Sequence, residues 1–112
     1  MPQAPMRPIK GVQYIHTDLM NAAASRAAIA EHADITHIFF CGRAPHDDRG
    51  RESIESNLAI LGNVIDAAAA ASKHLTHVNL VQGGKYYGVH VGPFPNPARE
   101  DDPRTVTPEF LL

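Results

Sequence analysis

The stretch VQGGKYYG, residues 81–88, sets a single lysine on a glycine-rich bend directly after an apolar run. Lys85 is there either a solvated loop charge or a reactive amine at a strand end, where its ammonium would hydrogen-bond a ribose or donate to a developing oxyanion. Two further groups share this kind of setting. Asp18 follows the short run GVQYIHT, and Cys41-Gly42-Arg43-Ala44 closes and follows the run THIFFC. Each has a plainer reading: Asp18 as a helix cap, Arg43 as a solvated cation, Gly42 as a turn residue, and Tyr86 and Tyr87 as rings that anchor the loop. In an open parallel sheet, ligands bind beyond the carboxyl ends of the strands. The elements that carry these residues therefore decide what they do together.

Residues 1–10 hold three prolines and form an irregular lead-in. Val12–Thr17 alternates as a short strand, and Asp18 or Asn21 can cap the alanine-rich helix expected from Met20 to Ala33. THIFFC, residues 36–41, is a β-prone run whose near-continuous apolarity suggests burial on both faces. GRAPHDDRG, residues 42–50, is a loop at the carboxyl end of that strand. Ile54, Leu58, Leu61, Val64, Ile65 and Ala68 recur at three- and four-residue steps, the pattern of an amphipathic helix through residue 72. HLTHVNLVQ, residues 74–82, gives a third strand that ends at Gly83-Gly84.

The fold class expected is thus α/β, a partial doubly wound Rossmann-type parallel sheet in which residues 11–88 form a β-α-β-α-β unit. Residues 89–112 contain five prolines and a run of acids, and should be a long irregular segment with at best a short strand.

The 112 residues allow one domain at most. A composition of 44% hydrophobic and 20% charged residues is that of a globular protein. A formal charge of -2 with scattered basic residues offers no footprint for nucleic acid or an anionic membrane, and no apolar stretch reaches the roughly 18–20 residues of a membrane span. The single Cys41 and the lack of a basic-then-apolar leader favour a reducing, cytoplasmic setting. None of the seven histidines takes up HExxH or CxxC spacing, so no metal site is expected.

Taken in order, THIFFCGRA, ESNLAILGNVIDAA, LTHVNLVQGGKYYG and VGPF resemble the progesterone 5β-reductase and iridoid-synthase-like branch of the short-chain dehydrogenase/reductases. The resemblance runs from about Val12 to the carboxyl terminus. It implies a reductase of activated carbon–carbon double bonds in enone-type small molecules, with NADPH or NADH as cofactor. By that likeness Lys85 matches the active-site lysine, which assists a tyrosine in stabilising an enolate. Asp18 matches the aspartate near the adenine, and Cys41, Gly42 and Arg43 the loop beside the cofactor ribose and pyrophosphate. Phe94 would line the substrate pocket, and Asn57 matches a helix asparagine that is structural in the family or simply faces solvent here.

The departures carry their own expectation. The chain has no Gly-x-x-Gly-x-x-Gly turn for the pyrophosphate. The family's tyrosine lies just after a segment like Pro108-Glu109-Phe110, which here is followed only by Leu111-Leu112. The sequence therefore reads as an internal piece of a reductase, inactive alone. The alternative is a non-catalytic α/β module that self-associates, or binds a partner, through an exposed sheet edge.

Overall fold

A computed structural model describes residues 7–105. Its elements run α1 (Ala22–Ile29), β1 (His37–Phe40), α2 (Ile54–Ala71), β2 (His77–Leu80) and a single 3₁₀ turn over Gly84–Tyr87. β1 and β2 pair in parallel, with His37 opposite His77, Ile38 opposite Val78, Phe39 opposite Asn79 and Phe40 opposite Leu80. Parallel pairing requires a crossover, and α2 supplies it. The α/β class with a parallel sheet is as the sequence implies.

Helix α2 forms where the apolar residues repeat at helical steps, and Ser53 starts it by accepting the Ser56 N–H on its side-chain oxygen. Ile60, Ala67 and Ala68 are its buried residues. Ile60 meets Phe40 and Ala44 in the core, with Leu19, Ile38, Leu61 and Val64 packed around them. Alanines on α2 let α1 approach closely, and α1 packs on α2 rather than on the sheet. At the far end of α2, Ser72 is buried and donates from Oγ to the Ile35 carbonyl at 2.7 Å, tying the helix exit to the chain entering β1.

Three expectations need correction. Val12–Thr17 forms no strand: the chain turns at Lys10 and Gly11, where the Val12 N–H meets the Ile9 carbonyl, and no neighbouring strand offers it a ladder among the described residues. The first helix is shorter than Met20–Ala33, because Asn21 caps it by accepting the Ala24 N–H and it ends at Ile29. β1 is buried on one face alone. Phe40 points into the core, whereas Phe39 is 68% exposed, since among the described residues helices cover a single side of the sheet. Residues 89–105 contain no helix or strand, in keeping with their prolines.

Candidate functional site

The site is built at the carboxyl ends of the two strands. Beyond β1 the backbone passes close over the core: a Cβ added to Gly42 would lie 2.9 Å from Cζ of Phe40, so a side chain there would displace the ring. Ala44 is then pulled inward, its N–H donating to Oδ1 of Asn57 at 3.0 Å while Nδ2 of Asn57 donates to the Ser53 carbonyl at 2.8 Å. Asn57 is therefore a structural brace between loop and helix, which settles the two readings open for it.

The rest of the loop is organised by Asp47. Its Oδ1 accepts the N–H groups of Arg49 and Arg51, and its Oδ2 accepts Nε of Arg51 at 2.9 Å. These bonds, the Arg51 N–H foremost, hold the Asp47 carboxyl below its ordinary value. The loop so closed delivers Glu52 to the position just before the helix cap Ser53.

Beyond β2, the Val81 N–H extends the ladder to the Phe40 carbonyl, and the chain then enters the 3₁₀ turn at Gly84. Gly88 ends this turn at φ +83 with its N–H on the Lys85 carbonyl, a left-handed conformation that favours glycine. A Cβ at Gly88 would also come within 2.8 Å of the Thr105 hydroxyl, because the tail returns here and the Thr105 N–H donates to the Tyr86 carbonyl. The hydroxyl of Tyr87 donates to the Arg99 carbonyl at 3.1 Å, a second tie between tail and turn.

Lys85 leaves this turn toward Glu52. Its Nζ lies 2.7 Å from Oε2 of Glu52, while Oε1 of the same carboxylate lies 3.3 Å from Nη1 of Arg43 and 3.5 Å from Nε2 of His46. The Glu52 side chain is 16% exposed, against 46% for Lys85 and 63% for Arg43. One half-sequestered anion thus meets three more exposed basic groups. The Lys85 hydrogen bond, with the charges of Lys85, Arg43 and His46, holds the Glu52 carboxyl below its ordinary value against the opposing effect of burial. A cleft of about 630 Å³ opens beside it, lined by Pro45, His46, Asp47, Arg51, Glu52, Ser53 and Ser56.

Of the residues singled out in the sequence, Lys85 and Arg43 are brought together. Cys41 is exposed beside them in chain order, its Sγ 3.9 Å from the Phe39 carbonyl. Asp18 has turned to its own backbone: Oδ1 accepts the Met20 N–H at 2.9 Å. Its neighbour Leu19 packs on the core and accepts Nδ2 of Asn63 at 2.7 Å, which anchors that turn to α2. Phe94 is 46% exposed in the irregular segment. Pro108-Glu109-Phe110 lies outside the described residues. Sequence reasoning missed Glu52 and His46. The available signal was the need of a lysine at one strand end for an anion, and the loop from the neighbouring strand holds three acids, Asp47, Asp48 and Glu52.

Comparison with known proteins follows the same line as the residues. The chain is 38% identical over 99 residues to a short chain dehydrogenase of Penicillium aethiopicum, an alignment covering 87% of this chain and 26% of the relative. It is 31% identical over 107 residues to a 3-oxo-Δ(4,5)-steroid 5β-reductase of Arabidopsis thaliana, covering 88% and 26%. To an (S)-8-oxocitronellyl enol synthase of Camptotheca acuminata it is 32% identical over 108 residues, covering 88% and 27%. The chain thus belongs to the family of short-chain dehydrogenase, progesterone 5β-reductase and iridoid-synthase-like proteins. The chain spans about a quarter of the length of the relatives it matches. No protein-family model matches it. Among the described residues, no helix is long and apolar enough to cross a membrane.

Proposed function

We propose that the chain carries part of the site of a nicotinamide-dependent reductase acting on the activated double bond of an enone, and that it turns over no substrate by itself. The observation that carries this reading is the convergence of Lys85 and Arg43, from two different strand ends, at the edge where open parallel sheets bind ligands. The relatives named as a dehydrogenase and a steroid 5β-reductase support it.

The donor set suits a nicotinamide nucleotide. Arg43 is cationic and more than half exposed, matched to phosphate oxygens, and Lys85 offers a compact ammonium to hydroxyl or carbonyl oxygens. Cys41 and Gly42 supply backbone at the same edge, and Asp18 would first have to release the Met20 N–H. Reduced nicotinamide, when bound, supplies hydride. Lys85 would place positive charge near the enone oxygen, where negative charge gathers, and Phe94 would offer an apolar wall. Two features of content support the reading of inactivity alone: the tyrosines present are Tyr14, Tyr86 and Tyr87, and these residues include no Gly-x-x-Gly-x-x-Gly turn.

Calorimetry tests the reading. NADPH should bind the chain with a Kd in the millimolar range, about -4 kcal/mol, and Lys85→Met should weaken it further. Binding that is undetectable at millimolar NADPH, or indifferent to Lys85→Met, would contradict it.

A second reading is favoured by one observation: Phe39 is 68% exposed on the uncovered sheet face. In it, a second copy of the chain covers that face, or pairs with a free strand edge. Size-exclusion chromatography should then show a dimer that Phe39→Ser converts to monomer, and a concentration-independent monomer would dismiss it.

A further inference from the structure

Glu52 unites two parts of the molecule that the sequence keeps apart. Lys85, 33 residues away in the chain, belongs to the turn after β2, whereas Arg43 and His46 belong to the loop after β1. Glu52 itself stands immediately before α2. Its backbone is fixed on both sides: on one by Asp47, which accepts the Arg51 N–H at 2.8 Å, and on the other by Ser53, which caps the helix. Its side chain is the most sequestered member of the cluster, and the long Lys85 and Arg43 side chains are the most exposed. The carboxylate is therefore the fixed point and the cations are the mobile partners. A free lysine of this exposure samples many rotamers, and an ion pair with a preorganised anion selects one.

We propose that Glu52 is the positioning residue of this site, holding the Lys85 ammonium and the Arg43 guanidinium on a single carboxylate so that the loop after β1 and the turn after β2 act as one unit. What Lys85 does once positioned rests on the reductase reading, but the positioning does not. An ammonium has three N–H groups. With one on Oε2 of Glu52, two remain for the oxygens of a ligand, so the pairing orients Lys85 without consuming it. Glu52 also lowers the cost of keeping Arg43 and Lys85 near one another in the absence of an anionic ligand.

The groups facing Glu52 are Arg43 and His46 from the loop and Lys85 from the turn. NMR on the unaltered chain, following side-chain carboxyl carbons and lysine ammonium nitrogens against pH, should show the Glu52 carboxyl titrating below the ordinary carboxylate range. The Lys85 resonance should move with the same midpoint, while Lys10 and Lys73 remain still. In Glu52→Gln, acylation of Lys85 by a small activated ester should rise about two- to fivefold relative to Lys10 and Lys73, the span that ion pairs of this exposure command. Glu52→Asp should fall between. A Lys85 resonance that ignores the Glu52 titration, or Lys85 labelling unchanged in Glu52→Gln, overturns the proposal. If all three lysines label faster together, the variant has unfolded and the titration of the unaltered chain decides alone. Absence of NADPH binding with the Lys85–Glu52 coupling intact would sink the reductase reading and leave this one standing.

Discussion

At the carboxyl end of the β1–β2 pair, ionisable side chains from one loop and one turn converge on Glu52. The uncovered face of the same two strands instead presents His37, Phe39 and His77 to solvent, with the two imidazoles 5.6 Å apart and His37 stacked 6.4 Å from Phe39. Both regions are accessible, yet they differ in what fixes their side chains. At the strand ends, each loop has an internal brace: Asp47 for residues 47–51, Asn57 for Ala44, and Gly88 with Thr105 for the 3₁₀ turn. On the sheet face the rings rest on one another, and among the described residues the one side-chain hydrogen bond of these rings joins Nδ1 of His37 and the hydroxyl of its neighbour Thr36. Preorganisation marks a place built for chemistry, and an unbraced apolar face marks a packing surface.

The contrast can be broken hardest through the core that both regions share. Phe40 belongs to β1 and lies beneath Gly42, so Phe40→Ala should cost about 3–5 kcal/mol in urea denaturation and release the Glu52 cluster along with the sheet. Asn57→Ala acts on the strand-end region alone. It leaves the Ala44 N–H without its partner and should cost about 1–3 kcal/mol, with amide exchange quickening through residues 42–52 and unchanged at His37–Phe40. Phe39→Ser touches the sheet face alone and should change monomer stability by no more than about 0.5 kcal/mol. A large loss there would mean that the exposed ring is part of the packing after all. The strand-end region should also respond to acid. The Glu52 carboxyl is held below its ordinary value, so its contribution is complete above the ordinary carboxylate range and is lost as pH falls through the lowered value.

Local periodicity made α2, β1 and β2 legible, because each satisfies its own backbone pattern before any distant contact forms. The ends of α1 and the fate of Val12–Thr17 were not legible. A strand exists only if another chain segment lies beside it, and alternation of Val12, Tyr14 and His16 says nothing of a neighbour. Burial of both faces of β1 was inferred from composition, but burial depends on what stands opposite, and Phe39 shows that nothing described does. The site was half legible. Lys85 and Arg43 could be placed at strand ends from chain order, whereas Glu52 entered the site through a loop whose path is set by Asp47 hydrogen bonds that no periodicity records. Asp18, read as a helix cap or a ligand contact, holds the Met20 N–H.

The most direct measurement is a residue-by-residue NMR map of the chain titrated with NADPH. Shifts should concentrate at Gly42, Arg43, Glu52 and Lys85, with His37, Phe39 and His77 silent. Shifts centred on the sheet face with the strand ends unmoved would contradict this expectation.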